Sequence, residues 1–259
     1  MTATTARPFA GGWVVWIPLA LVVTAAWAYL LVIDRQMAMT EWLSGLPVLM
    51  PMSSSWSSAD AVLIFAMWTV MMVAMMTPTL VPLLLLVTRL RPGGRGRLLV
   101  RVGALIVGYS ITWALFSAIA TGVHWALLQG EVITPMLAGR RVEFAAVLLV
   151  AAGLFQLTPL KNYCLTRCRS PLGLVMTEWR PGPAGALRLG WLHGRHCVGC
   201  CWALMGLLFV FGAMNLLWVA ALSLLVLAEK ALVRGPWPSR VLGGLLIAWG
   251  LGLLIRGVY

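Results

Sequence analysis

Charged residues are scarce in this sequence, and acidic residues most of all. Of 259 residues only 10% are charged, and seven are aspartate or glutamate. Soluble domains carry about 25% charged residues, so this composition excludes an ordinary soluble protein. Nowhere along the chain are carboxylates clustered as a proton relay through a membrane would require.

The signature motifs of several protein classes are missing as well. The sequence has no glycine-rich phosphate loop, no His-Glu-x-x-His and no Gly-x-Ser-x-Gly. Those motifs mark nucleotide-driven transport, metalloproteases and serine hydrolases. There is also no Cys-x-x-Cys-His, the motif that attaches haem. These absences exclude ATP-driven transport, protease activity and haem attachment and favour a protein that is not an enzyme, with catalysis by thiols left open as an alternative.

Apolar sequence is what the chain has in abundance. Hydrophobic residues make up 61% of it, and the mean hydropathy is +0.95. Apolar stretches of roughly 17 to 25 residues match the length of a helix that crosses the hydrocarbon core. We therefore predict an all-α polytopic membrane helix bundle that forms one domain over residues 1–259. The seven predicted spans are approximately 13–33, 61–87, 102–127, 143–160, 197–213, 216–233 and 240–256.

The basic residues predict how these spans are oriented. Short cytoplasmic loops carry an excess of lysine and arginine. Of the 19 basic residues, 15 fall on the side of the N-terminus and four on the other. This places the N-terminus inside and the C-terminus outside a bacterial cytoplasmic (inner) membrane. The same pattern explains the formal net charge of +12 without a nucleic-acid partner.

Thiols and imidazoles are concentrated in one part of the chain. Three of the five cysteines and two of the three histidines fall within residues 193–201, and the other two cysteines lie in a predicted cytoplasmic loop, 161–196. Cytoplasmic thiols stay reduced, so clustered cysteines there are more typical of metal ligands or catalytic groups than of disulfides. The candidate metal ligands are Cys197, Cys200, Cys201, His193, His196, Cys164 and Cys168.

Two local geometries bring these side chains to one ion. Residues four apart share a helix face, which in a helix over 193–205 aligns His193, Cys197, Cys201 and Met205. If glycines loosen the first turn, residues 197–200 form a Cys-x-x-Cys loop instead. Cysteine and histidine ligands suit Zn²⁺, and thiolates mixed with thioethers suit Cu(I). We predict Cu(I), with Zn²⁺ as the alternative.

Five methionines follow one another closely in the second predicted helix. Thioethers are soft ligands, so such a ladder offers Cu(I) a relay or second site through hydrocarbon. The competing interpretation is core packing, for which flexible methionine is common. Pro78 and Pro82 predict a kink that frees backbone carbonyls, which must face protein or a wet cavity. The predicted relay residues are Met67, Met71, Met72, Met75, Met76 and Met205.

Few other polar groups lie within the predicted spans. We expect Glu229 and Lys230 to lie at the membrane interface and to pair with loop arginines. We expect His124 to be interfacial, with no ligand partner. Residues 212–215 predict a hairpin between the fifth and sixth spans. The last span contains glycines that predict close helix packing: Gly243, Gly244, Gly250 and Gly252.

Over roughly residues 61–235 the chain resembles a bacterial family of predicted metal-binding integral membrane proteins, a domain of unknown function. The resemblance implies metal binding in a membrane and leaves the mechanism open. It rests on Met67-Trp-x-x-Met71-Met72-x-Ala-Met75-Met76-x-Pro78, on Gln156-x-Thr-Pro-Leu-Lys161-x-x-Cys164-Leu-x-x-Cys168-Arg-Ser-Pro171, and on His193-Gly-x-x-Cys197-x-Gly-Cys200-Cys201-Trp-x-Leu-Met205.

These observations together predict a membrane protein that handles Cu(I). Its partners would be the lipid bilayer, the metal ion, and a membrane enzyme or metallochaperone that receives the ion. One alternative is a thiol–disulfide oxidoreductase in which Cys197 and Cys200 cycle and Cys201 or Cys164 resolves the disulfide. The other is a structural or assembly subunit of a larger membrane complex.

Overall fold

The computed structural model describes residues 13–38, 56–90, 94–133, 142–213, 215–231 and 235–257. Within those residues every regular element is helical, which confirms the all-α class. One short 3₁₀ helix, Thr77–Leu80, separates α2 from α3. The α-helices are α1 (Trp13–Ala38), α2 (Ser58–Met76), α3 (Val81–Leu90), α4 (Arg95–Gln129), α5 (Val142–Leu157), α6 (Pro159–Arg169), α7 (Pro171–Glu178), α8 (Gly182–Gly206), α9 (Leu208–Phe211), α10 (Leu216–Ala231) and α11 (Trp237–Gly257).

Four helical segments of the described chain are long and apolar enough to cross a membrane. They are Ser58–Leu90, Gly96–Gln129, Gly182–Phe211 and Trp237–Arg256. Helices α5 and α6, which meet at an angle of 64°, make a fifth if they are counted as one broken span. The prediction of seven spans is therefore confirmed only in part, and the orientation stays a prediction.

The segment predicted as a long loop, 161–196, is helical. It contains most of α6, all of α7 and the first half of α8, which begins at Gly182 rather than at residue 197. The loop prediction was wrong because its prolines do not break helices but begin them. Each of the three helices has a proline in its first turn, where the missing N–H has no partner to lose.

Proline has a different effect within the second predicted span. Pro78 has no N–H, so the carbonyl of Ala74, four residues before it, loses its helical donor and accepts from Trp27 Nε1 at 3.3 Å instead. The carbonyl of Met76, where α2 ends and the 3₁₀ helix follows, accepts from Tyr109 Oη at 2.9 Å and from Thr79 Oγ1 at 2.8 Å. Both carbonyls are thus satisfied by protein, as a helix interruption inside an apolar bundle requires.

The break predicted between the fifth and sixth spans is present. Helix α9 ends at Phe211 and α10 begins at Leu216. Gly212 has a φ of 85°, a left-handed conformation that glycine adopts without steric cost. The apolar run is thus two helices and not one.

Glycines allow two helix pairs to approach closely. A Cβ on Gly243 of α11 would lie 2.8 Å from the carbonyl oxygen of Gly153 in α5, and one on Gly250 would lie 2.8 Å from that of Ala146. The packing prediction is confirmed for those two residues. It was wrong for Gly244 and Gly252, which have no described atom within 4 Å of an added Cβ.

Helices α4 and α8 make the second close pair. A Cβ on Gly190 of α8 would overlap the carbonyl of Leu105 in α4. We expect Gly190→Ala to lower the free energy of unfolding by about 1–3 kcal/mol, because overpacking forces the backbones apart. The measurement is thermal unfolding of the purified protein in detergent, followed by circular dichroism.

Gly103→Ala on α4 is the matched control. Gly103 is exposed, with no described atom within 4 Å of an added Cβ. Alanine there should leave stability unchanged or raise it by up to about 1 kcal/mol. Equal losses in the two variants would contradict the close packing of α4 on α8.

Candidate metal centre

The candidate ligands lie where α6 and α8 pack together. Helix α8 is continuous from Gly182 to Gly206, so the helical alignment is the correct alternative and the Cys-x-x-Cys loop is not formed. Helix α6 supplies the other two cysteines. All five cysteines are free thiols, and all five are buried.

Four of the thiols form one group. The Cys168 thiol of α6 lies close enough to the Cys197 and Cys200 thiols of α8 to interact with them. The Cys201 thiol interacts with the same two. Cys164 stands beside this group, since a Cβ on Gly199 would lie 2.8 Å from its Sγ. We call Cys168, Cys197, Cys200 and Cys201 the thiol cluster.

The thiol cluster is not arranged as a finished metal cage. Within the described residues, no group of three or more His, Cys, Asp or Glu side chains has a geometry that would hold an ion. Cys200 and Cys201 instead direct their thiols at the carbonyl oxygen of Cys197, at 3.1 and 2.9 Å. Their side chains must rotate away from that carbonyl before the sulfurs can converge on one point.

The two histidines of the segment differ in their surroundings. His193, one turn before Cys197, is 1% exposed, and neither ring nitrogen has a hydrogen-bond partner in the described structure. Its ring centroid is 5.9 Å from that of Tyr109. A buried polar group without a partner needs an explanation, and a ligated metal ion supplies one. His196 packs edge-on against Tyr163, with centroids 6.1 Å apart.

His124 lies away from this segment, in the last two turns of α4, which continues to Gln129. It is 1% exposed and makes an edge contact with Trp56, two residues before the start of α2, with ring centroids 4.9 Å apart. Its position at the membrane interface stays a prediction.

Lys230 belongs to the centre, although the sequence analysis placed it at the membrane interface. Its ammonium nitrogen donates to Cys197 Sγ at 2.9 Å and lies 3.8 Å from Cys201 Sγ. The expected pairing with loop arginines was wrong because the last turn of α10 packs against α8. The available signal was an ionisable pair at the end of an apolar helix, which is a functional hypothesis by default.

Glu229 is also buried, and it joins α6 to α10. Its carboxylate accepts from Lys161 Nζ at 2.8 and 3.0 Å and from Ser239 Oγ at 2.9 Å. Lys161 also donates to the Gln156 side chain. The backbone carbonyl of Glu229 accepts from Arg169 Nε at 2.8 Å. This network holds the helix that carries Cys164 and Cys168 in place.

We call Met67, Met71, Met72, Met75 and Met76 of α2 the methionine stripe, and its end lies near the thiol cluster. The Tyr109 hydroxyl that binds the Met76 carbonyl is 3.1 Å from Cys197 Sγ, and Thr79 Oγ1 is 3.6 Å from it. The methionine stripe and the thiol cluster, which are far apart in sequence, are therefore connected through Tyr109 and Thr79. Each predicted relay methionine is at most 1% exposed: Met67, Met71, Met72, Met75, Met76 and Met205.

Fold and site together define a class of protein, an apolar helical bundle with a cluster of thiols in its interior. The chain belongs to the PpoB2 family, described as copper chaperone, whose model matches residues 65–253. The match extends past the predicted core of 61–235 into α11, and it contains every candidate ligand. No curated protein and no solved structure matches the chain. The family supports copper and lends no support to zinc.

The ion pair of Lys161 with Glu229 should contribute strongly to stability. In Glu229→Gln the carboxylate is lost while the buried ammonium remains, which costs about 3–5 kcal/mol for a buried pair. We expect a large drop in the thermal unfolding midpoint of the purified protein in detergent.

Glu178→Gln is the control for this prediction. It removes the 2.9 Å ion pair between Glu178 and Arg188, in which the Glu178 side chain is 31% exposed and the Arg188 side chain 38% exposed. Such a pair contributes about 0–1 kcal/mol. A Glu229→Gln variant as stable as Glu178→Gln would mean that the Lys161 network does not hold α6 on α10.

Proposed function

We propose that this protein is a multi-pass chaperone of the bacterial cytoplasmic membrane that binds Cu(I) and delivers it to a membrane enzyme or metallochaperone. Membership of a copper chaperone family supports copper handling. The observation that carries the proposal is the thiol cluster, in which two helices contribute buried, reduced sulfurs to one group. Thiolate sulfur is the soft ligand that Cu(I) prefers.

In this proposal each side chain has a distinct role. Cys197, Cys200 and Cys201 bind the ion from α8, and Cys168 completes the set from α6. His193 offers an additional ligand, because both its ring nitrogens are buried without a hydrogen-bond partner in the described structure. Cys164 and His196 lie at the edge of the centre and would serve during entry or release.

The hydrogen bonds of the thiols suit a carrier that binds and releases its cargo. Cys200 and Cys201 donate to the Cys197 carbonyl, so neither sulfur is left without a partner. Loading exchanges these weak hydrogen bonds for metal–sulfur bonds, and release restores them. This exchange keeps transfer to a partner reversible.

We place the thiol cluster on the cytoplasmic side, with the N-terminus inside and the C-terminus outside. The distribution of basic residues supports this orientation, and four or five helices of sufficient length and apolarity support membrane insertion. The methionine stripe then crosses from the outer half of the bilayer toward the cluster. Residues 67–76 cover about 14 Å at 1.5 Å per residue.

Burial argues against the alternative of a thiol–disulfide oxidoreductase. Exchange requires an accessible thiolate that can attack a partner's disulfide. Cys197, Cys200 and Cys201 are each 0–1% exposed, so a protein disulfide cannot reach them in this conformation. A small ion can.

Copper binding should depend on the cysteines of α8. We expect the wild-type protein, purified without oxygen and desalted, to retain copper that the double variant Cys197→Ser/Cys200→Ser loses. Serine removes the soft donor and keeps the side-chain size close. Elemental analysis per chain gives the result, with zinc measured in the same samples.

The control for that experiment is Ala203→Ser. Ala203 is buried two residues after Cys201 on the same helix, so the variant adds a hydroxyl to the site region without removing a thiol. It should retain copper. A wild-type protein that holds no metal but contains a titratable disulfide would contradict the chaperone proposal and favour the oxidoreductase.

A methionine relay predicts a kinetic effect and no loss of equilibrium binding. Leucine conserves the volume of methionine and usually costs less than about 1.5 kcal/mol in a core, but it has no sulfur. We expect Met71→Leu/Met75→Leu to slow Cu(I) passage into reconstituted vesicles that contain a chelator several-fold, while copper bound at equilibrium stays constant. Met176→Leu, at a side chain 75% exposed, is the control. Equal rates in all three proteins would assign the stripe to packing.

A further inference from the structure

One positive charge faces the thiol cluster without a carboxylate partner in the described residues. Lys230 Nζ lies 2.9 Å from Cys197 Sγ and 3.8 Å from Cys201 Sγ. The ion pairs of the described chain are Lys161 with Glu229 and Arg188 with Glu178. Lys230 is in neither of them.

The neighbouring charged groups do not compensate Lys230. The adjacent acid, Glu229, is directed at Lys161 on the other side of α10. Arg169 donates to backbone carbonyls of Glu229 and Gly235, and the side chains of Arg167 and Arg195 are exposed. In the described part of the chain, Lys230 is thus an ammonium that contacts the thiol cluster and has no carboxylate partner.

We infer that Lys230 makes this centre select a monovalent soft ion over a divalent one. The inference rests on the proposed binding of copper at the thiol cluster, and it names the charge of the cargo. A metal bound to sulfur lies about 2.3 Å from it. Given the 2.9 Å between Lys230 Nζ and Cys197 Sγ, an ion on that sulfur comes within roughly 5 Å of the ammonium.

The selectivity follows from Coulomb's law. The ammonium repels a bound ion in proportion to the ion's charge, so Zn²⁺ is repelled twice as strongly as Cu(I) at the same position. When the two ions bind the same set of thiolates, the attraction of Lys230 to those thiolates is the same for both. The difference between the two ions at that ligand set then comes from the charge of the ion alone.

This difference is large enough to measure. One additional unit of charge at roughly 5 Å, in an effective dielectric constant of about 20, changes a relative affinity by more than about tenfold. Thiolates and imidazoles alone bind Zn²⁺ well, so a device that disfavours the divalent ion has a clear use in a copper carrier.

The experiment compares Lys230→Leu, Lys230→Gln and Lys230→Arg with the wild type, as full-length protein in detergent without oxygen. Cu(I) affinity is measured by competition with bicinchoninate, and Zn²⁺ affinity by competition with 4-(2-pyridylazo)resorcinol. We expect the ratio of Cu(I) to Zn²⁺ affinity to fall about tenfold or more in the two neutral variants. Lys230→Arg keeps the charge and should keep the ratio within a few-fold of wild type.

Circular dichroism identifies variants that fold, and glutamine preserves a hydrogen-bond donor for the sulfur if leucine is not tolerated. Equal losses of both affinities would assign Lys230 a structural role and overturn the inference, as would an unchanged ratio. If wild-type Cu(I) binding proves independent of Cys197, the proposed function fails and this inference with it. If Cu(I) binding requires Cys197 but the ratio of Cu(I) to Zn²⁺ affinity is the same with and without the Lys230 charge, only the inference fails.

Discussion

Opposite charges buried in an apolar bundle must touch, because an isolated charge there cannot be solvated. Lys161 and Glu229 meet this constraint across 68 positions of sequence, at 2.8 Å. Their contact fixes α6 against α10, and both helices then present side chains to α8. Cys164 and Cys168 follow Lys161 on α6, and Lys230 follows Glu229 on α10. Because neighbouring residues on a helix point in different directions, directing Glu229 at α6 leaves Lys230 directed at the thiols.

The thiol cluster illustrates how burial and reversibility are reconciled. Buried thiols are weak hydrogen-bond donors, and in this bundle those of Cys200 and Cys201 bond to the Cys197 carbonyl. Such bonds satisfy the sulfurs without fixing them in a coordination polyhedron. A rigid, fully preformed cage would hold a soft ion tightly and give it up slowly, whereas a carrier must do both. The lack of a finished metal geometry in the described residues is consistent with that requirement.

Local patterns in the sequence were enough for much of this arrangement. Apolar length predicted an all-helical bundle, and spacing by four placed His193, Cys197 and Cys201 on one buried helix face. The predictions from sequence failed where the same residue type is compatible with two local structures. Proline can end a helix or begin one, so residues 161–196 were mistaken for a loop. Which side of α10 faces which neighbour depends on tertiary packing, and Lys230 therefore could not be assigned from spacing alone.

The connection between the methionine stripe and the thiol cluster has the same tertiary origin. Helix α2 ends at Met76, and the Met76 carbonyl accepts from the Tyr109 hydroxyl of α4 at 2.9 Å. The oxygen of that hydroxyl is also 3.1 Å from Cys197 Sγ. The carbonyl that Pro78 deprives of its helical donor is that of Ala74, and Trp27 of α1 donates to it. Two side chains from other helices thus serve the end of α2, and because one of them is Tyr109, the last methionine of the stripe and the first thiol of α8 share a polar neighbour that sequence spacing alone could not show.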